Sequence, residues 1–156
     1  MSRSTRRLLV AAGTFALQWL LLGRLRIFGV YPDGVMLFLA WYALHEGRRR
    51  GALVGFALGT AMDAAYGTWG IHMCVKTLVG FFAGLFAVED RKPLLIQPQQ
   101  AFLGGLAIAL LHNGLQVLLL ALQTQATNDF LLYGLWLGSA VYTAVVGGIV
   151  ALFFRR

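Results

Sequence analysis

The sequence predicts an all-α integral membrane protein, a single domain built as a six-transmembrane-helix bundle. Three observations predict it. The 156-residue chain is 59% hydrophobic and only 12% charged, with a mean hydropathy of +0.73; a soluble domain carries roughly 25% charged and about 45–50% apolar residues. Apolar runs recur at 8–23, 32–45, 51–66, 71–88, 101–122 and 130–154. The basic residues cluster in the short segments between those runs rather than over one face. A domain of this length still exposes roughly 30% of the surface of its unfolded chain, so a water-soluble globule has no place for so much apolar surface. Disorder is excluded by the same numbers, and a multi-domain enzyme by the length.

A spanning helix needs about 20 residues, with a range of roughly 17–25. Run 8–23 reaches this with a flanking residue or two. Its basic start and apolar middle have the look of a secretion signal, but Arg24-Leu25-Arg26 follows where a small-x-small cleavage site would stand. It is therefore expected to be a retained span. Runs 32–45 and 51–66 are short. At about 1.5 Å per residue the second covers roughly 22 Å of a hydrocarbon layer about 30 Å thick. Four spans plus a re-entrant pair is the alternative to six. Runs 71–88, 101–122 and 130–154 fit a full crossing.

With the amino terminus inside, the inner segments hold ten basic residues: Arg3, Arg6, Arg7, Arg48, Arg49, Arg50, Arg91, Lys92, Arg155 and Arg156. The outer segments hold Arg24 and Arg26. This bias predicts both termini on the cytoplasmic side. It also accounts for the net charge of +7 without nucleic acid as a partner; the partner it implies is the lipid bilayer. The outer loops 24–31, 67–70 and 123–129 are too short to form a domain, so work outside the membrane falls to another protein.

Several residues stand out within the runs. Pro32 is expected at the first helical position of the second span, with Asp33 in its first turn facing the helix dipole; contact with a partner's loop is the alternative. Gly51, Gly55, Gly59 and Asp63 recur at every fourth residue, which places them on one stripe. Glycines in such a stripe let another helix approach closely, either from the chain's own bundle or from a partner protein. Asp63 and Lys76 are ionisable residues inside apolar runs, where a charge is paired or faces a cavity. They flank the turn 67–70 at depths differing by only about 3 Å, so an Asp63–Lys76 ion pair is expected to fix the hairpin register. His112 and Gln116 share a helix face as a polar stripe, for interhelical hydrogen bonds or for a ligand. His72 is expected at the membrane interface.

Enzyme chemistry is not expected. The sequence lacks paired histidines with a glutamate at metalloprotease spacing. Its serines are Ser2, Ser4 and Ser139, with no serine–histidine arrangement. The lone Cys74 supports neither an internal disulfide nor a thiolate metal cage. No cofactor and no metal are anticipated.

The segment from Tyr31 to Phe86 reads Tyr31-Pro32-Asp33, an apolar run, a basic turn, the Gly51/Gly55/Gly59/Asp63 series and a Gly67-x-x-Gly70 turn. Lys76-Thr77-Leu78-Val79-Gly80-Phe81 and Gly84 follow. This block resembles the bacterial rod shape-determining protein MreD family, and chain length and the placement of the basic turns are also similar. Tyr66 departs from the small residue common before that glycine. The resemblance implies a non-enzymatic scaffold in the bacterial cytoplasmic (inner) membrane, part of the rod complex or elongasome. It would bind the single-span protein MreC and help regulate peptidoglycan synthesis and rod shape through a RodA-type polymerase and its class B transpeptidase. It implies a fold similar to the S-components of energy-coupling-factor transporters. A substrate-binding subunit of a vitamin-type transporter is the alternative function, with Arg24, Arg26, Asp33, Asp63, His72, Lys76 and Asn128 as its outer-half polar groups.

Overall fold

The computed structural model describes residues 3–87, 97–124 and 128–153. It contains six helices: α1 (Arg3–Leu20), α2 (Gly34–Glu46), α3 (Arg48–Tyr66), α4 (Ile71–Leu85), α5 (Pro98–Thr124) and α6 (Ser139–Phe153). A single 3-10 turn, Leu22–Arg24, follows α1, and a π-helical stretch, Phe130–Gly138, runs directly into α6. Arg91, Lys92, Arg155 and Arg156, with the expected span ends at 88 and 154, lie outside the described residues.

The six helices stand where the apolar runs lie, but their lengths are unequal. Two of them, Gln99–Thr124 and Phe130–Phe153, are long and apolar enough to cross a membrane alone, against the six expected. The reason is visible in the others. The first and third helices begin on arginines, Arg6 and Arg7 in α1 and Arg48–Arg50 in α3. The second and fourth have 13 and 15 residues, about 20 and 22 Å.

Chain turns are set by capping chemistry. Asp33 is the residue before α2 rather than part of its first turn, and its carboxylate accepts the Met36 N–H at 2.7 Å, the usual N-cap arrangement. Pro32 therefore precedes the helix instead of opening it. Gly47, at φ 82°, ends α2 and starts α3. The turn to α4 uses Gly67 at φ 71° and Gly70 at φ 97°, a backbone region that glycine enters without steric cost.

The glycine stripe is filled from within the chain. A methyl group built on Gly51 would strike the backbone of Gly80, one on Gly55 the carbonyl of Lys76, and one on Gly59 the backbone of His72 and Met73. The reciprocal contacts are Gly80 on Gly51 and Gly84 on Arg48. The reading of Gly51, Gly55 and Gly59 as a groove for a partner's span is thus corrected: α4 occupies it. Small residues allow two backbones to touch, and here both helices of the hairpin supply them.

The remaining helices pack in alternating directions. Arg7 near the start of α1 bonds Glu46 at the end of α2. Gly105 on α5 faces Ala144 on α6, while Gly114 faces Trp136, so this pair is antiparallel as well. Met36, Ile71, Val75, Val79, Ala109 and Ala140 form the apolar centre between α2, α4, α5 and α6. A second cluster, Val35, Phe38, Leu58 and Met62, joins α2 to α3.

The contacts at Gly55 generate a direct expectation. Gly55→Ala adds a carbon where the Lys76 carbonyl already lies, and overpacking of this kind costs about 1–3 kcal/mol. Gly13, on α1, has nothing within 4 Å of an added Cβ. Thermal unfolding of the purified variants should show a lowered midpoint for Gly55→Ala and none for Gly13→Ala.

Candidate buried polar site

Side chains from α4 and α5 meet the residue that caps α2 at one buried place, and α1 and α6 hold the loop that carries it. The Lys76 side chain is fully buried, and its ammonium bonds Asp33 Oδ2 at 2.5 Å and His112 Nε2 at 3.1 Å. His112 Nδ1 lies 2.9 Å from Asn113 Oδ1. These partners fix the tautomer: the ammonium donates to Nε2, so Nδ1 carries the proton and donates to the amide oxygen. Asn113 in turn donates to the Trp136 carbonyl at 3.4 Å. A buried cation without an opposite charge is costly, and Asp33 supplies that charge.

The loop carrying Asp33 is held at several points. The Asp33 N–H donates to Thr143 Oγ1 at 3.1 Å, and Ser139 Oγ donates to the Tyr31 carbonyl at 3.1 Å, both on α6. From α1, the fully buried Gln18 donates to the Pro32 carbonyl at 3.1 Å and accepts the Gly34 N–H at 2.8 Å. Residues 31–34 are thus bonded to α1, α4 and α6 while starting α2. Extended backbone inside a bundle needs such partners, because its N–H and C=O groups have no helix to satisfy them.

Asp63 does different work. Its Oδ1 accepts the Thr68 hydroxyl at 2.9 Å and the His72 N–H at 3.0 Å. Its Oδ2 accepts the N–H groups of Gly70 at 3.0 Å and Met73 at 2.9 Å. The carboxylate therefore caps the first turn of α4, where free N–H groups and the helix dipole favour negative charge. The expected Asp63–Lys76 pair does not form; Lys76 pairs with Asp33. Gly55 packs against the Lys76 carbonyl, so that residue presents its backbone to α3 and its side chain to α2 and α5. Matching depths across the hairpin gave no information about this rotation.

Among the other expected positions, Pro32 supplies a carbonyl to Gln18, and His112 joins the cluster. Gln116 is half-buried and lies outside it. His72, expected at the membrane interface, has its side chain buried within the protein in the first turn of α4. Gln18, Ser139 and Thr143 were not singled out in the sequence, although each is a polar residue inside an apolar run; Ser139 and Thr143 are also four apart. Among the described residues no three side chains are grouped to hold a metal ion.

A second charge cluster marks the opposite end of α2. Glu46 bonds both Arg7 and Arg50, tying α1 to the α2–α3 junction. Partial burial pushes its carboxyl pKa up, but the Arg50 and Arg7 guanidiniums outweigh this and hold it below the usual carboxylate range.

The Asp33–Lys76 pairing makes a testable cycle. Asn is as good an N-cap as Asp, so Asp33→Asn removes the charge alone. Breaking one side of a buried pair costs about 3–5 kcal/mol. Asp33→Asn and Lys76→Met should each destabilise on that scale in denaturant unfolding, and the double variant by clearly less than their sum. Asp63→Asn with Lys76→Met should be additive, as for residues without a shared partner.

Comparison of the chain with family models, with curated proteins and with solved structures finds no match.

Proposed function

We propose that the chain is a non-enzymatic, multi-pass component of a bacterial rod-type cell-wall synthesis complex, with both termini cytoplasmic. In this reading it binds a single-span MreC-like protein and through it acts on a RodA-type polymerase and its transpeptidase. All six helices lie within the bilayer, the two long ones crossing it fully.

One observation carries the reading. The residues of the family-like block meet one another: Asp33 with Lys76, Gly51 with Gly80, Gly55 with Lys76, and Asp63 with the Gly70 N–H. A motif that closes on itself specifies a shared fold, as expected for a scaffold, rather than a set of groups aimed at a substrate. The same contacts weigh against a vitamin-type binding subunit, whose site needs convergent polar groups facing a cavity; here Asp33, Asp63, Lys76 and His112 are engaged with the protein itself. Large apolar side chains on the outside of the helices, such as Leu8 at 70%, Leu103 at 64% and Leu122 at 67% exposure, suit a lipid environment.

With the glycine stripe taken by α4, the partner's span must meet another face. Gentle extraction of the tagged protein from native membranes should recover a stoichiometric single-span protein with a large external domain. Its recovery should be undiminished by Gly13→Ala. Recovery of ATPase subunits with a bound small molecule would overturn the scaffold in favour of a transporter.

A further inference from the structure

At the end of the bundle remote from Arg3 and Phe153, residues 27–30 form a tight hairpin. The Ile27 N–H donates to the Val30 carbonyl at 2.9 Å, and the Val30 N–H to the Ile27 carbonyl at 3.1 Å. Both central residues have positive φ, Phe28 at 50° and Gly29 at 83°. Turns of this type favour Asn-Gly, Asp-Gly or Gly-Gly, because bulky residues are strained at positive φ. Phe28 gains no packing in return: it is 95% exposed.

The hairpin is nevertheless held in place. Gly29 sits against the Phe130 ring, 3.1 Å from where its Cβ would be, and the Ser139 hydroxyl holds the Tyr31 carbonyl. Leu25 and Ile27 of the same segment are further exposed apolar side chains, at 53%, and Trp69, in the turn between α3 and α4, is 70% exposed. Arg24 and Arg26, also exposed, flank them.

Depth decides what covers this patch. Glu46, bonded by Arg7 and Arg50, lies about 20 Å from Asp33 along α2 at about 1.5 Å per residue. The Arg50 side chain is 68% exposed, so this cluster marks one edge of the hydrocarbon layer. A layer about 30 Å thick that starts there ends about 10 Å beyond Asp33. Lys76, the partner of Asp33, stands about 8 Å along α4 from its first residue, Ile71, and Trp69 lies in the turn just before that helix. Gly23 and Tyr31, on either side of the 24–28 segment, both meet Tyr66 at the end of α3, next to that turn, so the patch stands at the other edge, where acyl chains give way to phosphates.

We propose that the 24–28 segment and Trp69 form a seat for phospholipids of the leaflet remote from the termini. Phe28, Ile27, Leu25 and Trp69 enter the ends of the lipid-facing apolar layer, and Arg24 and Arg26 take the phosphate groups, as amphipathic cations do at a membrane boundary. The strained Phe28 is accounted for by the lipid it touches. This rests on the membrane reading above.

The test uses the full chain with the exposed Cys74 replaced, Cys74→Ala, and a bimane fluorophore on Phe28→Cys. Leu118→Cys on α5, 54% exposed, is the control. Each is reconstituted in phosphatidylcholine vesicles with or without brominated acyl chains, and iodide probes water. The expected result is at least a twofold loss of fluorescence in brominated lipid at both positions, with little iodide quenching at either. Iodide quenching at 28 with lipid quenching at 118 would place the tip in water and overturn the seat alone. Quenching of neither kind at 28 would mean that a second copy covers it, and would equally overturn the seat. Iodide quenching at both positions would refute the membrane reading itself. Ile27→Cys replaces Phe28→Cys if the latter does not fold.

Discussion

The buried ammonium of Lys76 is the constraint around which the bundle is organised. An isolated charge in a low-dielectric interior is costly, and the neighbouring carboxylate offsets that cost only when its geometry is good and its remaining oxygen is also bonded. Asp33 meets both conditions, with one oxygen on Lys76 and the other on the Met36 N–H. To stand there it must bring residues 31–34 into the interior as extended chain. That in turn requires Gln18 from α1 and Ser139 and Thr143 from α6. The short second helix follows from the same demand, because it begins at the level of the ammonium, inside the bundle.

The α3–α4 hairpin is the rigid element against which this is built. Its two backbones touch through Gly51, Gly55, Gly59 and Gly80. The contact turns the Lys76 backbone to α3 and leaves its side chain free for Asp33. Asp63 completes the unit by capping α4 from the end of α3. Two acidic residues thus act on one helix from different sides, one on its first N–H groups and one on a lysine further along.

Much of this was legible in the sequence, and the limits are physical. Composition and apolar runs located six helices, because burial or lipid contact demands continuous apolar stretches. The four-residue spacing identified the glycine face but not its occupant, since one stripe serves equally for a neighbour in the chain or for another protein. Depth arithmetic brought Asp63 and Lys76 to similar levels and yet predicted the wrong pair, because rise per residue says nothing of rotation about the axis. Asp33 was expected in the first turn of α2 and stands just before it as the N-cap; its second bond comes from a residue 43 positions away, beyond the reach of any local pattern. Gln18, Ser139 and Thr143 are single polar residues in apolar surroundings, and only the loop they hold gives them meaning.

The first helix carries a further consequence of its two polar attachments. Arg7 and Gln18 are separated by 11 residues, three helical turns to within about 20° at 3.6 residues per turn. Both fasteners therefore lie along one line of the cylinder. Leu9 and Leu20, with the same separation, occupy the line roughly opposite and are more than half exposed. Twisting α1 about its axis would release both attachments together, so its azimuth is pinned at two heights. Its outward line of leucines is consequently a fixed rail, always presented in the same direction.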